Sequence, residues 1–337
     1  MANLKDIAKL TGVSVSTVSR ALNGSKGMSE KTKNQILKVA QENNYIPDQA
    51  ARALVGKGSK TIGVILQEIS SDYYTQLLCN IEEQLRKNGY SIVMGFTNGN
   101  FDIEKQYLNI FARRKVDGII LTGYMYRELE AYLDRVYKTR DTPITLIQTN
   151  MEYSNYDYII VDEKYGFDMV IRHLKELGHK KIGFLFDEMS SVIRLQSLKA
   201  AVLDNGLSFD QKFFKLGKER FEQGGYLRMK ELLSQDEVPT AVVASYDHMA
   251  IGAINAIYEA GLRIPQDISL VGYDDIRESE YLVPPLTTVS PPIKAMTDLG
   301  VNLLLEKIEN KEKTVIHQIS LKPELILRNT TGKPRSN

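Results

Sequence analysis

From Thr61 to Val271 the chain alternates short apolar runs with stretches of helical periodicity, and it does so twice over. Residues 61–66, 91–96, 118–121, 144–147 and 159–161 read as strands, with helices over 73–87 and about 102–114. The pattern restarts with a helix at 167–177 and a strand at 182–186. Helices near 193–203, 224–233 and 250–260 then alternate with strands near 213–216, 241–244 and 268–271. Strands apolar on both faces need cover on both faces, and the intervening helices supply it. This predicts α/β layers with parallel sheets. Two such sets predict two similar lobes, with a cleft where the carboxyl ends of their strands face each other.

The first 60 residues are different. They hold ten Lys and Arg against four Asp and Glu, a net +6, whereas the rest of the chain carries −5. A basic head on an acidic body is the asymmetry of a protein whose head alone meets a polyanion. Asn3 can cap a helix from Leu4, with Asp6 placed for the reciprocal bond. Gly12-Val-Ser14 then makes a tight turn, and Ser14 caps a second helix from Val15 to about Asn23. Ser29 caps a third helix, with Ile36, Ala40 and either Val39 or Leu37 facing inward. Helix, short turn, helix and supporting helix is helix-turn-helix geometry, in which the second helix enters the major groove.

The sequence Leu4-Lys-Asp-Ile-Ala-Lys-Leu-Thr-Gly-Val-Ser-Val-Ser-Thr-Val-Ser-Arg-Ala-Leu-Asn23 closely resembles the opening of the lactose-repressor (LacI/GalR) family. Asn44-Tyr-Ile-Pro47 and Ala50-Ala-Arg-Ala-Leu54 match the same pattern. The resemblance implies that Val15, Ser16 and Arg20 read bases, and that Thr17, Ser19 and Asn23 contact phosphate or stabilise the turn. Arg20 can donate bidentately to guanine, and Val15 can meet a thymine methyl. It also implies a hinge helix over 48–55, capped by Asp48 where the family usually has Asn. Too short to stand alone, that helix orders against DNA and its partner's copy. There Ala51 contacts DNA and Leu54 acts as a minor-groove wedge.

The likeness extends through the body, in Ile69-Ser-Ser-Asp-Tyr-Tyr74, Asp117-Gly-Ile-Ile-Leu-Thr-Gly123, Leu177-Gly-His179, Ser245-Tyr-Asp-His-Met-Ala250, Val271-Gly-Tyr-Asp-Asp275 and Pro285-Leu-Thr-Thr-Val289. It implies a small all-α helix-turn-helix head on a two-lobed, periplasmic-binding-protein-like body. The expected boundaries are a DNA-binding domain at 1–47, hinge and linker at 48–60, an effector and dimerisation domain at 61–330, and a tail at 331–337. In such proteins the chain crosses between lobes three times, so the first lobe is about 61–161 with 291–320. The second is about 162–290 with 321–330. Effector contacts are expected from Tyr73, Tyr74, Arg194 and Asp274, with Tyr124, Gln148, Asp162 and Phe221 on similarly placed loops. Tyr246 joins them, and Asp247 caps its helix and touches ligand through Tyr246. Aromatic faces pack on sugar C–H groups while Asp, Gln and Arg satisfy hydroxyls.

Composition excludes several other classes. At 337 residues with 43% hydrophobic and 25% charged, the chain is a globular protein of two or three domains. No apolar run approaches the ~20 residues of a membrane helix, and the polar opening lacks signal-peptide order, so a cytoplasmic protein without membrane contact is expected. The single Cys79 excludes an intrachain disulfide framework, and the four scattered histidines lack metal spacing. No Walker loop, Gly-x-Ser-x-Gly elbow or His-Glu-x-x-His occurs, which argues against a kinase or hydrolase. A transport-type solute receptor shares the two-lobed body but would lack the basic head. The expectation is therefore a homodimeric, sequence-specific transcription factor of the repressor type, with no cofactor. Its partners are a near-palindromic double-stranded operator and a small sugar-like effector; control by a phosphorylated carrier protein is the alternative.

Overall fold

The computed structural model describes residues 2–22, 28–45, 58–123, 127–137, 141–149, 155–310, 312 and 315–335. It divides into two compact units, Met1–Ser59 and Lys60–Asn337.

In the first unit, α1 (Leu4–Thr11), α2 (Val15–Leu22) and α3 (Glu30–Glu42) pack around Ile7, Val18 and Ile36, all fully buried. Local chemistry sets the boundaries. Asn3 Oδ1 accepts from the Lys5 and Asp6 N–H groups at 2.9 and 3.2 Å, and Asp6 Oδ2 accepts from Asn3 N–H at 2.8 Å. This is the reciprocal cap that the spacing predicts. Gly12, at φ +68°, ends α1 in the left-handed conformation glycine tolerates. Ser14 Oγ and Ser29 Oγ then accept from Thr17 and Thr32 N–H, each at 3.1 Å, and start α2 and α3. Of the two candidates on α3, Val39 packs toward the core and Leu37 is exposed. Ala8, Ala21 and Ala40 line the same core, their small size letting the helices approach.

The second unit holds two six-stranded sheets. The first is built from β1 (Thr61–Leu66), β2 (Ser91–Phe96), β3 (Gly118–Gly123), β4 (Ile144–Thr149), β5 (Asp157–Val161) and β11 (Gln318–Leu321). Its order is β11-β5-β4-β3-β1-β2, and every pairing is parallel. The second contains β6 (Ile182–Asp187), β7 (Phe214–Gly217), β8 (Ala241–Ala244), β9 (Ser269–Tyr273), β10 (Thr287–Ser290) and β12 (Glu324–Ile326). Its order is β12-β10-β9-β8-β6-β7, parallel except where β12 runs against β10.

Helices cover both faces of each sheet. In the first lobe these are α4 (Asp72–Lys87), α5 (Phe101–Arg114), α6 (Arg127–Tyr137) and the late α11 (Ile293–Glu309). Met296, Val301 and Leu304 of α11 share a core with Ile62, Leu77 and Ile147, so this helix returns to the first lobe. The chain crosses between lobes after β5, after β10 and after β11. The second lobe carries α7 (Glu163–Leu177), α8 (Glu188–Asp204), α9 (Phe221–Leu233) and α10 (Asp247–Glu259). A Cβ at Gly225 would lie 1.8 Å from Met249 O, and one at Gly252 1.8 Å from Glu222 O. Only glycine permits that contact between α9 and α10, and it brings the starts of both helices together at the cleft.

Several elements differ from the sequence reading. The helix α6 was not anticipated, although Leu129, Tyr132, Leu133 and Tyr137 are all buried; its charged opening, Arg-Glu-Leu-Glu, masks the apolar stripe. The helix expected from residue 167 begins at Glu163, because Asp162 Oδ1 accepts from Tyr165 N–H at 2.9 Å and caps it. Likewise α8 begins at Glu188, capped by Asp187, and α9 at Phe221 rather than at the glycine pair.

Candidate functional site

The exposed side of α2 carries the residues expected to meet DNA. Val15 is 40% exposed despite being apolar, Ser16 and Arg20 project outward, and Thr17 and Ser19 are half-buried. Val18 and Ala21 turn inward. Ser14 Oγ lies 2.7 Å from Ser16 Oγ and 2.8 Å from Thr17 Oγ1, so the hydroxyls at the N-terminal end of α2 form a linked cluster. Such an end, with its unsatisfied N–H groups, favours phosphate. Asn23, Pro47, and the expected hinge with Asp48, Ala51 and Leu54 lie outside the described residues.

In the body a cleft opens at the carboxyl ends of the strands, as the doubly wound arrangement requires. From the first lobe it is lined by Gln67, Glu68 and Ser71 after β1, by Tyr73 and Tyr74 in the first turn of α4, and by Gln148 of β4. From the second lobe come Met189, Ser190 and Arg194 of α8, Arg220 and Phe221 at the start of α9, Tyr246 before α10 and Asp274 after β9. Its internal volume is about 70 Å³.

Two arginines organise the floor. Arg194 Nη2 is 2.8 Å from Asp274 Oδ1 and its Nε is 3.4 Å from Glu163 Oε2. Its Nη1 also donates to Ser245 O, and its guanidinium lies 4.1 Å from the Tyr273 ring centroid. Burial opposes the Arg194 charge, but Glu163 and Asp274 outweigh it and hold the proton on more firmly than usual. Burial raises Asp274 above the ordinary carboxylate range despite Arg194. Asp274 reaches the cleft because it and Asp275 sit at φ +103° and +50°, a conformation costly for non-glycine residues and characteristic of functional loops. Gln148, also at positive φ, donates to Glu163 Oε1 at 2.9 Å. The second arginine, Arg220, makes a two-pronged pair with Glu68 across the lobes, at 2.6 and 2.8 Å.

The walls are aromatic. Tyr73 and Tyr74 meet edge to face at 5.3 Å, and Phe221 and Tyr246 at 5.9 Å. Tyr74 donates to Gln67 Oε1 at 2.9 Å. Tyr246 accepts from Phe221 N–H at 2.9 Å and donates to Asp187.

Seven of the ten expected cleft residues therefore converge: Tyr73, Tyr74, Gln148, Arg194, Phe221, Tyr246 and Asp274. Asp162 is not among the lining residues and serves as the cap of α7. Asp247 is also absent from the lining: it is 0% exposed, and Thr288, Ser279 and Ile276 N–H donate to it at 2.5, 2.8 and 3.0 Å. It ties α10 to neighbouring loops instead of facing ligand, and burial lifts its carboxyl to about 7. Tyr124 lies outside the described residues. Sequence reasoning missed Gln67, Glu68, Ser71, Met189, Ser190 and Arg220. Their positions just beyond β1 and at the starts of α8 and α9 were the available signal.

Comparison with known proteins decides the family. Residues 3–48 match the family described as bacterial regulatory proteins, lacI family, and residues 171–331 match a periplasmic binding protein-like domain. The HTH-type transcriptional repressor PurR of Haemophilus influenzae is 33% identical over 337 residues, covering 97% of this chain and 98% of its own. The chain belongs to the lacI family. The ribose operon repressor of Haemophilus influenzae is 32% identical over 331 residues, covering 97% of this lacI-family chain and 98% of its own. Among solved structures, a lac repressor dimer bound to operator and the anti-inducer ONPF superposes with a TM-score of 0.88 at 27% identity, covering 98% and 99% of the two chains. A LacI family regulator from Enterococcus faecium with bound ribose gives 0.71 at 28% identity, covering 81% of this chain and 99% of that one. This lacI-family member is a DNA-binding transcriptional regulator of the repressor type. Among the described residues no helix is long and apolar enough to cross a membrane.

Proposed function

We propose that the protein is a homodimeric repressor whose α2 helices read a near-palindromic operator, and whose cleft binds a small polar effector that sets DNA affinity. The observation that carries this reading is one chain combining the outward polar face of α2 with a cleft where aromatic walls surround paired Arg and Asp groups. In this reading Val15, Ser16 and Arg20 meet bases, while Thr17, Ser19 and Asn23 hold the backbone or the turn. The segment over 48–55 forms the hinge, with Ala51 at the DNA and Leu54 as wedge. Effector bound between the lobes alters their closure, and the hinge passes that change to the heads; a differential affinity of ~1–3 kcal/mol suffices for useful coupling. The site of action is the nucleoid, in the cytoplasm. Ribose is the first effector to test, because a ribose operon repressor and a ribose-bound regulator are among the relatives.

The reading is tested on the operator. Arg20→Ala should cost ~1–3 kcal/mol on the true site and clearly less on random DNA, measured by fluorescence anisotropy. Equal losses on both would reduce Arg20 to a phosphate contact, and a footprint without dyad symmetry would count against paired heads. Leu54→Ala should lower specific affinity and DNA bending together, leaving salt-sensitive nonspecific binding largely intact. Unchanged bending would remove Leu54 from the groove.

A further inference from the structure

The polar groups of the cleft are unevenly matched. Two guanidinium groups, Arg194 and Arg220, face four carboxylates: Asp274 at 2.8 Å and Glu163 at 3.4 Å from the first, Glu68 at 2.6 Å and Asp187 at 3.7 Å from the second. Both outer nitrogens of Arg220 are committed to Glu68, which spends the fork geometry that would otherwise grip a carboxylate or phosphate. Glu68 is attached just beyond β1 of the first lobe and Arg220 at the start of α9 in the second, so the pair also ties the lobes together. The Glu68 side chain is only 6% exposed.

We infer that the effector of this cleft is an uncharged, hydroxyl-bearing molecule, and that the Glu68–Arg220 bridge is the element that rejects anionic relatives such as phosphorylated or carboxylated sugars. The inference rests on the reading of the cleft as the effector site. Among the described residues, an anion entering the cleft finds no cation to spare. Seating it on Arg220 requires Glu68 to leave, and a buried carboxylate stripped of its partner is among the costliest defects a protein interior can hold. Seating it on Arg194 adds a third negative group beside Asp274 and Glu163. A hydroxyl needs neither displacement. It can donate to a carboxylate lone pair while the ion pairs stay intact. The Tyr73, Tyr74, Phe221 and Tyr246 rings supply faces for C–H groups. A neutral ligand is thus enclosed with the bridge closed, whereas an anion must hold it open.

The test compares matched ligands on the full-length protein by calorimetry: D-ribose with D-ribose 5-phosphate, and D-glucose with D-glucose 6-phosphate and D-gluconate. In the wild type the neutral member of a binding pair should be at least about tenfold tighter. In Glu68→Gln, which removes the carboxylate that holds both outer nitrogens of Arg220 and leaves only the more distant Asp187, the gap should narrow or close. An anionic member that binds the wild type as tightly as its neutral counterpart overturns the inference and leaves the effector reading standing. A gap that Glu68→Gln does not move overturns the role given to the bridge. Silence from every ligand with folded wild type removes the cleft as a sugar seat, and the inference with it. The wild-type comparison decides even if the variant does not fold.

Discussion

Arg194→Ala is expected to destabilise the body by about 3–5 kcal/mol, the usual cost of removing one partner from a buried ion pair. From sequence, the substitution should cost effector affinity while leaving operator binding without effector near wild type. The structure changes that expectation. Arg194 is 9% exposed and is the cation between Asp274 and Glu163. Alanine would leave both carboxylates buried beside each other, and would release the Ser245 carbonyl that the guanidinium holds. Urea unfolding of the full chain measures the loss. A midpoint indistinguishable from wild type would show that Arg194 is a ligand contact with no part in holding the lobe. Arg194→Lys should recover part of the stability, since one charge remains, but not the separate bonds to Asp274 and Ser245.

The second large effect is a pH dependence. Glu104, on α5, is 2% exposed, and burial alone lifts its carboxyl to about 8. The folded protein therefore keeps a proton that the unfolded chain releases near the ordinary value of 4.5. With the folded value raised, this stabilisation is complete at low pH and is lost as pH rises toward 8. The slope in that window is roughly 1.4 kcal/mol per pH unit. Between pH 6 and pH 8 the wild type should accordingly lose about 2–3 kcal/mol relative to Glu104→Gln, which cannot titrate. Any constant cost of the buried amide cancels in that comparison. His173 and His179, which burial lowers, contribute the opposite slope up to about their ordinary value of 6.5, but they and Asp247 are common to both proteins and cancel in the comparison. Parallel stability curves for the two proteins would mean that Glu104 is hydrated or paired when folded.

Much of the head was legible because its determinants are local. Asn3 with Asp6, Gly12, Ser14 and Ser29 each act within about one helical turn, the range over which caps and left-handed residues work. The two lobes were legible for a related reason, since strand and helix periods are properties of consecutive residues. Seven cleft residues followed from the rule that α/β sheets bind at the carboxyl ends of their strands, together with the family resemblance.

What a residue at such an end does was not legible. Asp274, Asp247 and Asp162 are all carboxylates at element boundaries, yet one enters the cleft, one ties α10 to β10 and one caps α7. The difference lies in backbone direction and in which donors arrive from distant segments. Asp274 is turned inward by its positive φ, while Asp247 is surrounded by Ser279 and Thr288.

The amino-acid sequence by itself determined the helix-turn-helix head, the alternating α/β body and the strand ends at which a ligand site must lie, because caps, turns and hydrophobic periods act between near neighbours. Only the tertiary structure decided the charge pattern of the cleft. Arg220 and Glu68 are 152 residues apart, and Arg194 and Asp274 are 80. Nothing local in either segment specifies its partner. The partners meet because the chain crosses between lobes three times and sets the end of β1 against the start of α9. Once they are buried there, the cost of separating them makes each pair a determinant of what the cleft can bind.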